Sequence, residues 1–111
     1  MTLQKAQARA RAVLLELEVE VEDGKFAERL FAATGRGLDE LADGLLDDIG
    51  DALAQEFDYQ RRRMDGDSHK RLISTQLRRS LNSLDLTDLY DITTSLIGAC
   101  KQVLAFEAPL H

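Results

Sequence analysis

The sequence predicts an all-α fold, a compact antiparallel bundle of four or five helices, and three observations carry that expectation. Leucine and alanine dominate the apolar set, with 19 and 13 copies among 111 residues, and both favour helix over strand. The one proline is Pro109, so no interior segment is barred from being helical. Apolar residues recur at helical spacing in five stretches separated by short turn signals, Asp23-Gly24, Gly35-Arg36-Gly37 and Asp65-Gly66-Asp67-Ser68 among them, and short connections make sequential helices antiparallel neighbours. The predicted segments are about 3 to 22, 25 to 33, 38 to 63, 69 to 83 and 88 to 106. A single helical domain over 1–111, with room for dimerisation to complete it, fits this length.

The first segment carries two patterns. Leu15, Leu17, Val19 and Val21 alternate with Glu16, Glu18, Glu20 and Glu22, which is the period of a half-buried strand, and Asp23-Gly24 would supply a hairpin turn. A hairpin needs a second strand, and Lys25 to Ala33 has helical spacing instead. Read as a helix, Leu3, Ala6, Ala10, Val13, Leu14, Leu17 and Val21 make one seam, and Ala8, Ala12, Leu15 and Val19 make a second. One bundle buries one such seam well, so the second is expected to meet a partner. The third segment places Leu38, Leu41, Ala42, Leu45, Leu46, Ile49, Ala52, Leu53 and Phe57 within roughly 160° of arc, opposite Glu40, Asp43, Asp47, Asp51 and Asp58. Gly44 and Gly50 each weaken that helix by about 1 kcal/mol relative to alanine. In the fourth, Ile73, Leu77, Leu81 and Leu84 share a face, with Asp67 or Ser68 as cap. The fifth follows Thr87 as its expected N-cap and spreads Leu89, Ile92, Leu96, Ile97, Ala99, Cys100, Val103, Leu104 and Phe106 over roughly 200°, wider than one packed face requires.

Composition narrows the function. Twenty acids against 14 Lys or Arg give a formal charge of −6, which disfavours a protein devoted to nucleic-acid backbones. Charge runs in blocks: residues 36 to 58 hold eight acids against Arg36, and residues 59 to 79 hold seven basic residues against Asp65 and Asp67. Pairing of those blocks inside the fold is the simplest expectation. The basic residues Arg61, Arg62, Arg63, Lys70, Arg71, Arg78 and Arg79 make DNA binding by 61–79 an alternative, although Tyr59 is the sole nearby ring for base stacking. One cysteine allows neither an intrachain disulfide nor a four-cysteine zinc site. No apolar run reaches the roughly 20 residues of a membrane span, and the expected setting is the cytoplasm.

Chemistry-bearing motifs are sparse. Counted from Asp65, a calcium loop requires glycine at the sixth position and glutamate at the twelfth; the sequence has Lys70 and Gln76. Cys100 sits on an apolar helix face, where burial makes a thiol inert. The small acidic bundle with its one internal histidine, His69, resembles histidine phosphotransfer domains, and that resemblance implies phosphoryl transfer through His69. Those domains place the histidine mid-helix and follow it with lysine and a small residue, whereas Lys70, Arg71, Leu72 and Ile73 follow here. No catalytic residue, metal ligand or cofactor is expected. The expected role is that of a non-enzymatic intracellular regulator binding a partner protein, such as a transcription regulator or a toxin, in the manner of an anti-activator, inhibitor, immunity protein or chaperone. Ala8, Ala12, Leu15 and Val19 are the expected partner-binding residues, a homodimer is expected, and nucleic acid and membrane are not.

Overall fold

In a computed structural model the described residues are 3–18, 25–43, 51–66, 70–72 and 74–106. Their helices are α1 (Leu3–Leu17), α2 (Phe26–Ala33), α3 (Asp39–Ala42), α4 (Asp51–Met64), α5 (Ser74–Ser83) and α6 (Leu86–Ala105), with a π-type segment, Thr34–Leu38, joining α2 to α3. The fold is an all-α bundle, as the composition and spacing predict. The Cα radius of gyration is 13.6 Å, near the value of about 13 Å expected for a packed chain of this length.

Helix α1 packs on α6, on α2 and on the π-type segment. Its first seam is the buried one: Ala6, Ala10, Val13 and Leu17 all lie in the core. The three side chains Ala6, Ala10 and Val13 are short, so neighbouring backbones approach α1 closely. Gln7 extends from its flank and donates through Nε2 to the carbonyls of Val103 (3.3 Å) and Phe106 (3.1 Å), tying α1 to the end of α6, where the Val103 carbonyl also accepts from the Phe106 N–H (3.2 Å). The helical reading of the first segment therefore holds through Leu17, and positions 19–22 lie outside the described residues. Leu30, Ala33, Leu38 and Leu41 carry the core onward to meet Phe57, Met64, Leu77, Leu81, Ile92 and Leu96. Gly37 turns the chain between α2 and α3 at φ 129°, a conformation that residues with a Cβ rarely adopt.

Three predicted boundaries are corrected. A continuous helix over 38 to 63 would separate Asp39 from Arg61 by about 33 Å at 1.5 Å per residue. Instead the Arg61 Nε lies 2.6 Å from Asp39 Oδ1, and α3 packs against α4. They are two helices laid side by side, and the glycines at 44 and 50 fall in the intervening stretch, outside the described residues. The fourth segment starts later than predicted, at Ser74. Its reason is local: the Leu72 N–H donates to Asp65 Oδ1 (3.1 Å), and the Leu72 carbonyl accepts from Arg61 Nη2 (2.8 Å), so both backbone groups are committed outside a helix. The proposed caps Asp67 and Ser68 lie outside the described residues. The last helix takes Asp85, not Thr87, at its N-cap position, with φ −65° and ψ 152°; Thr87 is already within the first turn.

Candidate functional site

The outward face of α1 is the candidate site, and the residues around it fix how it is presented. Along one edge, Arg29 on α2 reaches Glu16 at 3.2 Å and Arg9 pairs with Glu40. Along the other, Lys101 on α6 lies 3.0 Å from Glu18. These pairs are at least partly exposed and each contributes little to stability, but together they tether both flanks of the helix. Between them, opposite Ala6, Ala10 and Val13, runs the second seam. Ala8 is exposed, Ala12 is half-buried, and Leu15 is 68% exposed. Leu15 is the most exposed large hydrophobic side chain among the described residues. Val19 lies outside them. The described part of the second seam is thus left open by its own protomer.

The other residues singled out in the sequence fall elsewhere. Arg61, one of the basic residues expected to pair with the acidic block, is 1% exposed. It donates to Asp39 through Nε, to Asp65 through Nη1 and to the Leu72 carbonyl through Nη2, tying α3, α4 and the 70–72 strip together. Its carboxylate partner Asp65 is itself 5% exposed. The helical period around Phe57 and Met64 does place position 61 on the buried side of α4, a signal that the charge of the residue obscured. Three more residues of the basic block are also spent on aspartates. Arg62 reaches Asp58 (2.9 Å), Arg63 reaches Asp91 (2.6 Å), and Arg71 pairs with Asp43. Partial burial acts to lower the Arg71 pKa, but Asp43, with Asp39 and Asp58 behind it, outweighs that and holds it above the ordinary value.

Cys100 is fully buried, and burial first, with the charge of Glu18 adding to it, pushes its thiol up to about 12. A thiol so protonated is a poor nucleophile. His69 lies outside the described residues. Among the described residues no group of three His, Cys, Asp or Glu side chains could hold a metal ion, and no helix is long and apolar enough to cross a membrane.

Two features had no clear sequence signal. Tyr90 on α6 meets Phe26 on α2 edge-to-face, ring centroids 6.0 Å apart, while Tyr90 and Leu86, one turn before it, remain exposed. A groove of about 410 Å³ separates α2 from α5, with the Arg78 guanidinium 4.5 Å from the Phe31 ring centroid on its wall. Both depend on which helices become neighbours, and helical spacing alone does not report that. Compared with family models, curated proteins and solved structures, the chain has no match.

Proposed function

We propose that this chain is a non-enzymatic regulator that binds a partner protein through the outward face of α1 and thereby covers a working surface of that partner, as an anti-activator, inhibitor, immunity protein or chaperone does. One observation carries the reading. A helix whose inner seam is buried presents Leu15, 68% exposed, beside Ala8 and Ala12. Val19 continues the same row in sequence. The small alanines let a partner helix or strand approach closely, and the leucine supplies an anchor worth about 1.5–3 kcal/mol when fully buried. Arg11, exposed on the same helix, and the acidic balance of the whole chain set orientation and encounter rate.

The test is a Leu15→Glu variant used as bait beside the unchanged protein, with the solution mass of both measured. The reading expects a folded variant that loses a captured partner, or a self-association, by at least about tenfold in affinity, which corresponds to 1.4 kcal/mol. Loss of mass alone would identify the partner as a second copy. A folded variant with unchanged mass and unchanged captured proteins sinks the proposal.

A further inference from the structure

We infer that the outward face of α1 closes on the same face of a second copy of this chain, the two helices running antiparallel around a two-fold axis that passes between Ala12 and Leu15. The inference rests on the reading of this face as a docking surface and names one occupant for it. Ala8, Ala12 and Leu15 follow one another at four and then three residues, the spacing of a seam between paired helices. Around that axis Leu15 of each chain lies level with the partner's Ala12, so a large side chain meets a small one in both layers. A parallel pair would set leucine on leucine and alanine on alanine and leave the alanine layer underfilled.

Charge complementarity selects the same arrangement. Arg11 and Glu18 stand on one flank of the row, seven residues apart, or about 10 Å along the axis. The Glu18 N–H donates to the Leu14 carbonyl at 2.8 Å, so helical geometry reaches position 18. In an antiparallel pair each flank faces its own copy, and Arg11 therefore meets the partner's Glu18 on both sides of the axis. Arg11 is exposed and holds no carboxylate among the described residues. Glu18 holds Lys101 through Oε1, yet its side chain is still 43% exposed. A parallel pair would instead bring Arg11 nearest the partner's Glu16, a position whose carboxylate Arg29 already holds. The contact masks the face from any other protein, so a second copy and a target compete for it.

Sedimentation equilibrium of the full chain at about 0.15 M salt tests the inference. The screening length there is about 8 Å, which mutes the repulsion between two chains of net charge −6 and spares ion pairs in contact. A contact along one helix of about 22 Å makes a weak dimer, with an expected Kd of about 0.1 mM. Leu15→Glu and, separately, Arg11→Glu are each expected to weaken it at least about tenfold, because every change acts twice across the axis. Arg11→Glu combined with Glu18→Arg is expected to return the Kd to within about threefold of the starting value. The charge variants and their reference all carry Lys101→Gln, so that position 18 faces no cation of its own chain, and an unchanged urea midpoint shows that each is folded. A chain that stays monomeric at about 1 mM, or an exchange of charges that restores nothing, would overturn the inference. If the chain is monomeric while Leu15→Glu still loses a captured partner, the dimer falls and the reading of the face stands; a dimer and captured proteins that are both indifferent to Leu15→Glu bring down the two together.

Discussion

Arg61 shows how much one side chain organises here. Its guanidinium is buried against Asp39, Asp65 and the Leu72 carbonyl, and no buried side-chain polar atom among the described residues lacks a partner. A buried pair is not in itself a large net stabiliser, but removing one member leaves the other uncompensated. Arg61→Met is therefore expected to cost about 3–5 kcal/mol in a urea titration. Adding Asp65→Leu should restore part of it, and only part, because the Leu72 N–H then loses its acceptor. Gly37 is the second sensitive residue. A Cβ there would lie 2.6 Å from Arg9 Cδ and 2.9 Å from Arg9 Cβ, at a φ of 129°. Strain and crowding act together, so Gly37→Ala is expected to cost about 2–4 kcal/mol, read as a lowered midpoint in the same titration. Cys100 gives a readout in pH. Its thiol is raised from 9.0 to about 12 in the fold, so the folded state holds the proton that the unfolded chain releases first. The resulting stability is complete below pH 9 and is lost as pH rises from 9 toward 12. At pH 8 a thiol reagent should label the protein only as fast as it opens; labelling at the rate of a free cysteine would contradict the burial.

At the scale of the element, α1 is the helix whose two sides behave differently. The inner row Ala6, Ala10, Val13 and Leu17 is core, and Leu15 on the other side is 68% exposed. Leu15→Glu should change the unfolding free energy by no more than about 0.5 kcal/mol at concentrations where the chain is monomeric. That near-neutrality separates loss of a docking surface from loss of the fold, and a drop of several kcal/mol would place Leu15 in the core instead. The same element shows why much of the fold was legible. Helical spacing identified α1, α2 and α6 within a few residues, because burial on one side imposes a 3.6-residue period. It misjudged 38 to 63, where a single wheel absorbed Leu38, Leu41, Ala42 and Phe57. An apolar arc of roughly 160° is wide enough to take in positions from both helices, so the period did not reveal that α3 packs beside α4. It also started the fourth helix too early, since a backbone held by Arg61 and Asp65 leaves no trace in hydropathy. The candidate face was legible as a surplus of apolar positions. The groove between α2 and α5 was not, because Phe31 and Arg78 lie 47 residues apart in sequence.

For the molecule as a whole, the alternating charge blocks resolve into contacts within the protomer. Acids of 36 to 58 receive the basic residues that follow: Arg61 on Asp39, Arg71 on Asp43, Arg62 on Asp58. Arg63 turns the other way, to Asp91 on α6. Of the seven basic residues between 59 and 79, four hold aspartates, and a fifth, Arg78, lies over Phe31. Binding to a nucleic-acid backbone draws its free energy from counterions released as cations neutralise phosphates. A cation already neutralised by an aspartate releases few, and the partner carboxylate would have to be displaced or brought close to a phosphate. The chain total of −6 adds long-range repulsion that grows as salt is removed, since the screening length reaches about 30 Å at 0.01 M. Both effects point the same way, so fluorescence anisotropy with a labelled duplex should show no binding at about 0.01 M salt, the condition most favourable to a phosphate-binding protein. Binding that appears there and weakens steeply as salt is added would mean that the 61–79 segment presents its charges outward in solution, and would move the search for a function from the face of α1 to that segment.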